Sequence, residues 1–176
     1  MDFTFYLQFL TVKYFMDKKR DVLNVDIVNL YISPGHNYFG HHGKPADKHE
    51  IIDCDLIEIE AGKGVIGDRF FDFKENYKGQ VTFFEQETFE QLARDLKIKG
   101  KTTAAFRRNI ITQGIDLNTL IGREFEVQGV LFLGIEEAKP CYWMNESFGP
   151  GAEEALKGKG GLRAKALTSG TIRRQK

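Results

Sequence analysis

The 176-residue chain has little of several features that mark particular protein classes. It contains only two cysteines, Cys54 and Cys141, which are too few for a disulfide framework and suit a reducing compartment. Its 25 basic and 25 acidic residues give a formal net charge of zero, so it lacks the positive field typical of nucleic-acid-binding proteins. A local basic pocket for a small phosphate ligand remains compatible with this balance. The sequence therefore predicts a cytoplasmic protein that does not bind nucleic acid.

The sequence also lacks an apolar run long enough to cross a bilayer. Residues 3–15 are mostly apolar, but they are too few for a membrane span and are interrupted by Gln8 and Lys13. The leading positive charge and small-residue cleavage site of a secretory signal are missing as well. We interpret residues 1–21 as an N-terminal extension, with Met16 as the expected natural start. The alternative is an amphipathic helix that packs on a partner or on a membrane surface.

Residues 22–176 have the composition of one globular domain, since 41% of the chain is hydrophobic and 28% is charged. Apolar residues alternate with a period of two over most of this region, which predicts β-strands. The predicted strands cover residues 22–32, 51–60, 80–85, 109–112, 123–128, 130–137 and 162–168. Tight hairpin turns are expected at Gly129 and at Ser169-Gly170.

One segment has helical periodicity instead, with apolar residues at i, i+3, i+4 and i+7. These residues are Phe89, Leu92, Ala93 and Leu96. Shorter helical turns are expected at residues 102–106 and 152–157. We therefore predict a β-rich α+β fold: a single closed or nearly closed β-barrel with one main helix, whose mouth is a natural place for a ligand.

Lys139-Pro140-Cys141 follows the predicted strand that ends at Glu137. Because proline cannot donate a hydrogen bond to a neighbouring strand, the sheet is expected to end here and to leave Cys141 on a rigid corner. A thiol near Lys139 is biased toward the thiolate, which attacks sulfur or binds a soft metal. A lone cysteine can equally be a small buried apolar residue, and the residues alone leave both interpretations open.

Two arginine-containing segments are candidates for binding an anion. In the first, Arg69 presents a planar fork that suits a phosphate or a ring edge, and Asp68 would orient it. An ordinary turn with a structural salt bridge is the alternative. In the second, Arg107 and Arg108 enter a predicted strand. Neighbouring residues of a strand point to opposite faces, so unless a bulge intervenes we expect at most one of these two arginines to face a pocket and the other to be a solvated charge.

All histidines of the chain lie in one glycine-containing segment, residues 33–49. They are His36, His41, His42 and His49. A zinc or other divalent ion completed by Asp53 or Cys54 is one interpretation, although the spacing matches no standard zinc pattern. The interpretation we favour is a flexible lid that hydrogen-bonds an anionic ligand or the protein itself.

Five short motifs follow one another along the chain. They are Ser33-Pro34-Gly35, Gly67-Asp68-Arg69-Phe70, Arg107-Arg108-Asn109-Ile110, Gly122-Arg123-Glu124-Phe125 and Pro140-Cys141. In order and spacing, over about residues 22–172, they resemble the MOSC domain, the carboxy-terminal domain of molybdenum cofactor sulfurases. The resemblance implies a β-barrel and a cysteine at position 141 that carries sulfur as a persulfide or ligates molybdenum directly.

The same resemblance implies that basic side chains hold the phosphate and pterin of the molybdenum cofactor, molybdopterin. These side chains are Arg69, Arg107, Arg108, Lys139 and Arg163. Asp68, Asn109 and His36 complete the candidate cofactor site. Cys54 alternates with Ile52 and Leu56 on one face of a predicted strand and is expected to be a packing residue.

Longer relatives set further expectations. The sulfurases carry a pyridoxal-phosphate desulfurase domain ahead of the MOSC domain, for which 176 residues leave no room. We therefore do not expect this chain to use pyridoxal phosphate, and a separate cysteine desulfurase would supply any persulfide. Family reductases that act on N-hydroxylated compounds have extra segments around the cofactor and receive electrons from separate proteins. This chain has little beyond the barrel, so a second copy in a homodimer would supply the part of the wall around the cofactor that those extra segments form.

Three functions remain open at this point. The first is a molybdenum-cofactor protein that reduces a small N-hydroxylated substrate or delivers the cofactor. The second is a persulfide sulfur carrier without a bound cofactor, since a thiolate accepts sulfur by exchange. The third is a non-catalytic barrel module with an inert cysteine.

Overall fold

The computed structural model describes residues 21–175, which form two β-sheets with short helices packed on the larger one. The strands are β1 (Asp21–Val22), β2 (Asp26–Ile32), β3 (Ile52–Cys54), β4 (Leu56–Glu60), β5 (Gly64–Val65), β6 (Val81–Glu85), β7 (Ile110–Gln113), β8 (Glu124–Val127), β9 (Val130–Glu137), β10 (Leu162–Ala166) and β11 (Gly170–Arg173). The helices are α1 (Gln86–Asp95), α2 (Trp143–Ser147) and α3 (Ala152–Ala155), with 3₁₀ turns at Thr103–Phe106 and Leu117–Leu120.

The larger sheet has eight strands in the order β1-β8-β9-β10-β6-β7-β2-β3, and the smaller has three in the order β11-β4-β5. The β-rich fold with one main helix is therefore confirmed, but the closed or nearly closed barrel was wrong. Over residues 21–175 neither sheet closes on itself, and the large sheet ends in two short edge strands, β1 and β3. Short edge strands offer little backbone for pairing with another chain.

The barrel does not close because the predicted strand 51–60 changes sheet at Asp55. Its first part, β3, pairs with β2 in the large sheet, and its second part, β4, pairs with β11 and β5 in the small sheet. A strand that changes sheets makes a corner, so the two sheets enclose the core together.

The two predicted hairpins had different outcomes. At Gly129 the hairpin is confirmed: β8 and β9 pair antiparallel, and Gln128 and Gly129 have φ values of 48° and 83°, as a tight two-residue turn requires. At Ser169-Gly170 the hairpin was wrong, because β10 pairs with β6 and β9 whereas β11 pairs with β4 in the other sheet.

An apolar core fills the space between the two sheets. Phe83, Phe125 and Phe132 are fully buried there, with ring centroids 5.2 to 5.5 Å apart. Ile57 and Ile172 reach this core from the small sheet. Burial of each such side chain contributes about 1.5–3 kcal/mol to folding, so this core fixes the sheets that support the site.

A second core lies between the other face of the large sheet and the helices. The predicted amphipathic helix is confirmed as α1, and its Leu92 is buried in this core. Phe84 of β6 stacks on Phe106 at 4.4 Å, which anchors the 3₁₀ turn directly before Arg107. The turns predicted at 102–106 and 152–157 are both present, whereas α2, directly after Cys141, was not predicted.

The predicted extension, residues 1–21, lies outside the described residues except for Asp21, which belongs to β1 and pairs with Phe125 of β8. Among the helices of residues 21–175, none combines the length and the apolar character needed to cross a membrane.

Candidate functional site

A cavity of about 240 Å³ brings together most of the residues that the sequence singled out. Those that line it are His36, Arg69, Arg107, Arg108, Lys139, Cys141 and Arg163. Asp68 and Asn109 do not line it and lie in a buried polar layer behind its wall. The remaining wall is largely aromatic, with Tyr38, Phe70 and Trp143 among its members.

Cys141 lies at the rim of the cavity with an exposed side chain. The large sheet ends at Glu137, Pro140 follows, and the amide of Met144 donates to the Cys141 carbonyl at 2.8 Å as α2 begins. The sheet therefore ends before Cys141, as expected, and the chain turns a corner there. Cys54 contrasts with it: it is half-buried against the core, and burial, followed by the charge of Asp53, raises the pKa of its thiol.

Arg107 is buried, with 5% of its surface exposed, yet it retains an unused donor. Its Nη2 donates to the Gly35 carbonyl at 2.6 Å, and its guanidinium lies 5.7 Å from the centre of the Tyr38 ring. Its buried Nη1 has no hydrogen-bond partner within residues 21–175. Burial, reinforced by the nearby charge of Arg69, lowers the pKa of Arg107 to about 10, so the side chain is a cation at neutral pH. A buried, unpaired cationic donor in a cavity wall suits an anionic ligand.

Arg108 also lines the cavity, but backbone carbonyls take its donors. It donates to Phe106 at 3.1 Å, to Ala138 at 2.8 Å and to Gly160 at 3.2 Å. Burial, followed by the charges of Arg163 and Arg69, lowers the pKa of Arg108 to about 10.

The expectation that at most one of these arginines faces a pocket was wrong, because both line the same cavity. Strand alternation does not apply to them, since β7 begins only at Ile110. Arg107 instead ends the 3₁₀ turn in a left-handed conformation, with φ 54°, which redirects the chain between the two side chains.

Arg69 lies on the ring of Phe70, with 4.7 Å between its guanidinium carbon and the ring centre. Its Nη1 is 3.5 Å from Asp68 Oδ2, and 11% of its side chain is exposed. Burial lowers the pKa of Arg69, and the carboxylate of Asp68 opposes that effect. Asp68 therefore accompanies Arg69 as expected, but the long contact makes it a weak partner.

The carboxylate oxygens of Asp68 accept hydrogen bonds mainly from other residues of the protein. Its Oδ2 accepts from the Ser33 amide at 3.0 Å and from Asn109 Nδ2 at 3.1 Å, and its Oδ1 accepts from the Phe70 amide at 3.1 Å. Asn109 in turn accepts from the amide and the hydroxyl of Thr82. Asp68 and Asn109 thus connect the segments that carry the cavity residues, rather than facing the cavity themselves.

Lys139 and Arg163 complete the basic lining. Lys139 is exposed beside Cys141, and Arg163 Nε lies 3.8 Å from Glu136 Oε1. Glu136 is also paired with Lys78 at 2.7 Å, so it compensates Arg163 only in part. The cavity thus has five cationic side chains in its lining, and Asp68 and Glu136, the carboxylates that contact Arg69 and Arg163, lie outside that lining.

His36 lines the cavity among aromatic rings, 5.0 Å from Phe70 and 5.3 Å from Phe39. Burial, followed by the charge of Arg69, lowers the pKa of His36 below its usual value, so the ring is neutral at neutral pH and offers a neutral donor or acceptor.

The other histidines lie farther along the segment 33–49. His41 pairs with Asp47 at 3.1 Å, His49 Nε2 is 3.9 Å from the same carboxylate, and His42 contacts Tyr142. Residues 21–175 contain no cluster of three or more histidine, cysteine or carboxylate side chains arranged to hold a metal ion.

An aromatic contact that no sequence pattern indicated joins this segment to α2. Tyr38 stacks on Trp143 with 4.8 Å between ring centroids, and Trp143 lies 4.7 Å from Tyr142. Tyr38 lies in the histidine segment and Trp143 in the cysteine segment, so no local pattern pairs them. Because of this contact, the cavity is enclosed by residues 36–39 on one side and by the corner that bears Cys141 on the other.

Comparisons with solved structures show the same fold in bacterial proteins. YuaD from Bacillus subtilis is 16% identical with a TM-score of 0.63, and the match covers 85% of this chain and 91% of that one. YiiM from Escherichia coli is 18% identical with a TM-score of 0.60, over 86% of this chain and 66% of that one. YiiM from Geobacillus stearothermophilus is 16% identical with a TM-score of 0.59, over 85% and 71%. The chain thus spans about two thirds of the length of the YiiM proteins.

A search of curated proteins found no match. A protein-family model does match, and it covers residues 40–174, which include the cavity residues from Arg69 to Arg163 and the corner at Cys141. Since this match extends over most of the chain and agrees with the shared fold, the protein belongs to the MOSC domain family.

Proposed function

We propose that the protein binds the molybdenum cofactor in the basic cavity, with Cys141 as the ligand of molybdenum. The observation that carries this proposal is the combination of an exposed thiol at the rim with Arg107 in the wall, whose buried Nη1 has no hydrogen-bond partner within residues 21–175. The thiol suits a soft metal, and the donor suits an anion. A reducing cytoplasm, where we place the protein, would keep Cys141 available as a thiol.

The residues present fit such a cofactor. Its phosphate would be held by Arg107, which is buried and has a pKa lowered to about 10, and by Arg69, whose side chain is 11% exposed. Its flat pterin suits the aromatic wall at Tyr38 and Trp143. The neutral ring of His36 adds a hydrogen-bonding group without adding charge.

The cofactor would supply two-electron redox chemistry at the metal, and the chain would supply binding and orientation. Cys141 would fix the metal at the rim, where a small substrate has access from solvent. Lys139, exposed beside it, would attract an anionic or strongly polar substrate. With an electron-donor protein as partner, this arrangement would support reduction of a small N-hydroxylated compound. Without one, it would support delivery of the cofactor.

Elemental analysis tests the proposal most directly. The untagged protein would be purified from a host that makes molybdopterin, and molybdenum and pterin would be measured for the original chain, Cys141→Ser and Cys54→Ser. Cys54→Ser is the matched control, because Cys54 is the other thiol of the chain and lies outside the cavity lining. We expect molybdenum with the original and with Cys54→Ser, and its loss with Cys141→Ser. Absence of both molybdenum and pterin from the original protein would refute cofactor binding.

A persulfide sulfur carrier is the second candidate, and the exposure of Cys141 favours it. The Cys141 thiolate would attack the terminal sulfur of a cysteine desulfurase persulfide, form a new sulfur–sulfur bond and release the desulfurase thiolate. Intact mass after incubation with a desulfurase and cysteine would then increase by one sulfur atom for the original and for Cys54→Ser, but not for Cys141→Ser. Neither sulfur nor molybdenum on the original chain would favour a non-catalytic module.

A further inference from the structure

Arg108 differs from the other cations of the cavity because the protein itself uses its donors. A guanidinium has five N–H groups. Nη2 donates to the carbonyls of Ala138 and Gly160, Nε donates to Gly160, and Nη1 donates to Phe106. These bonds account for four of the five N–H groups, so Arg108 has little capacity left for a ligand.

The carbonyls that Arg108 holds belong to the corner that presents Cys141. Ala138 directly follows β9, and its amide donates to the Gly161 carbonyl at 2.8 Å. Gly160 precedes β10, and its amide donates to Glu137 Oε1 at 3.1 Å. Arg108 therefore ties the end of one strand to the start of the next, at the point where the chain turns toward Cys141.

Close packing at Gly160 shows how tightly this corner is built. A Cβ atom at Gly160 would lie 2.5 Å from the Ala138 carbonyl oxygen and 3.1 Å from Cδ of Pro140. The backbone of Gly160 thus lies directly against the residues that precede Cys141. A side chain that fixes Gly160 and Ala138 together also fixes the direction in which the chain leaves the sheet.

The neighbouring residue gives the opposite picture. Arg107 makes one hydrogen bond with a backbone carbonyl and leaves its buried Nη1 unpartnered, whereas Arg108 has no orphaned side-chain nitrogen of this kind among the described residues. Two adjacent arginines in the wall of one cavity are therefore used differently: one is available to a ligand, and the other is committed to the backbone.

We propose that Arg108 is a positioning residue for Cys141, and that it acts by holding the corner formed by Ala138 and Gly160 rather than by binding the ligand. For cofactor binding this inference rests on the proposed function, but the effect on the corner does not. Its consequence is that Arg108 and Cys141 act as one unit, so that their replacements do not add.

The test of the corner uses a nitroxide spin label on Cys141, with Cys54→Ser as the background so that one thiol is labelled. Lysine keeps the charge of Arg108 but lacks the fork that reaches several carbonyls. We expect Arg108→Lys to sharpen the electron paramagnetic resonance lines of the label and to raise amide exchange at Ala138 and Gly160 by about tenfold. Arg107→Lys, the matched change next to it, should leave amide exchange at Ala138 and Gly160 as it is, because the Arg107 side chain bonds to the Gly35 carbonyl and not to this corner.

The test of cofactor binding is a double-mutant cycle on pterin content. If Arg108 acts only through Cys141, Arg108→Lys lowers the pterin content of the original chain but removes none of the pterin that Cys141→Ser still retains. If Arg108 binds the cofactor itself, the two losses add, and the proposal is overturned. Unchanged label mobility and unchanged amide exchange in Arg108→Lys would overturn it as well.

The two arms separate this inference from the proposed function. A chain that binds neither molybdenum nor pterin refutes the proposed function, while the label and exchange measurements still decide whether Arg108 holds the corner. If Arg108→Lys does not fold, Arg108→Gln takes its place, because its side-chain amide still offers N–H donors but lacks the fork that reaches several carbonyls. The proposal then requires faster exchange at Gly160 in that variant, and unchanged exchange would contradict it.

Discussion

Two adjoining polar regions differ in how completely their hydrogen bonds are made: the layer behind the cavity and the wall that faces it. In the layer, the carboxylate of Asp68 accepts from two amides and from Asn109, and the amide group of Asn109 is bonded through both its oxygen and its nitrogen. In the wall, Arg107 keeps a buried nitrogen that has no partner in the part of the chain that the structure describes, and Arg69 has a long contact with Asp68.

This difference separates polar residues that maintain the fold from those available to a ligand. A buried group whose bonds are all internal leaves its partners unsatisfied when it is removed, which is costly. A buried cation with a spare donor already carries a cost in the folded protein, and its removal relieves part of it. We therefore expect changes in the layer to lower stability and changes in the wall to lower ligand binding.

The largest effect is expected from Asp68→Ala. Three donors, the amides of Ser33 and Phe70 and the side chain of Asn109, would lose their acceptor, and Arg69 would lose its nearby carboxylate. The expected loss in the free energy of unfolding is about 3 kcal/mol, by analogy with other broken buried polar networks. Urea denaturation measures it. Asp26→Ala, at an exposed carboxylate, is the control, and an equal effect there would remove the special role of the layer.

Asn109→Ala should follow, with a loss of about 2 kcal/mol, because it leaves buried hydrogen-bonding groups unpaired. Its side chain accepts from Thr82 and donates to the Tyr31 carbonyl and to Asp68, so it links β2, β6 and the turn at Asp68. Since Asn109 and Asp68 share a bond, the double variant should cost less than the sum of the two. Strict additivity in denaturation experiments would mean that the two residues act separately.

Arg107→Met should have the opposite effect, with little change in stability and a loss of anion binding. Methionine retains much of the apolar stem and removes a buried charge with an unpartnered nitrogen, so stability should change by less than about 1 kcal/mol. Inorganic pyrophosphate should raise the melting temperature of the original protein, because a ligand that binds only the folded state stabilises it. The variant should lose that increase. If pyrophosphate stabilises both proteins equally, the anion is not held by Arg107.

The pH dependence of stability offers a smaller effect at His36. Burial, followed by the positive charge of Arg69, lowers the pKa of His36 in the folded protein, so the unfolded chain binds the proton more readily. The contribution of neutral His36 to stability is therefore fully present above the ordinary histidine pKa of about 6.5, and it is lost as the pH falls below that value.

In His36→Phe, which keeps the aromatic contacts, the part of this acid-side loss that belongs to His36 should disappear. Denaturation midpoints at pH 7.5 and pH 5.5 compare the two proteins. An identical decrease in both would show that His36 is not the group responsible.

The fold shows what local sequence patterns can predict. Strands β6 to β10 and helix α1 lie where the apolar spacing indicated, because that spacing reports which face of an element is buried. The break at Asp55 and the pairing of β4 with β11 were not predictable in this way, since the partner strand is supplied by residues 170–173, far along the chain. Whether a sheet closes depends on such distant pairings.

The site shows the same limit. The corner at Cys141 followed from Pro140, a local constraint, whereas the shared orientation of Arg107 and Arg108 depends on a left-handed residue that strand alternation does not describe. Sequence patterns also did not indicate that Arg107 is available to a ligand whereas Arg108 bonds to the backbone. It depends on carbonyls of Ala138 and Gly160, which only the folded chain brings near Arg108.

The smallest effect is expected from the pair of Arg163 and Glu136 at the rim. Their closest nitrogen and oxygen are 3.8 Å apart and the side chains are 31% and 38% exposed, so solvent screens the attraction and a double-mutant cycle should yield less than about 0.5 kcal/mol of coupling. Arg163→Gln should weaken pyrophosphate binding less than Arg107→Met does, because a partly exposed cation next to a carboxylate gives an anion less than a buried, unpartnered donor does. An equal or larger loss with Arg163→Gln would show that the anion binds mainly at the rim. Arg163, and not Arg107, would then be the residue of the cavity that is available to a ligand.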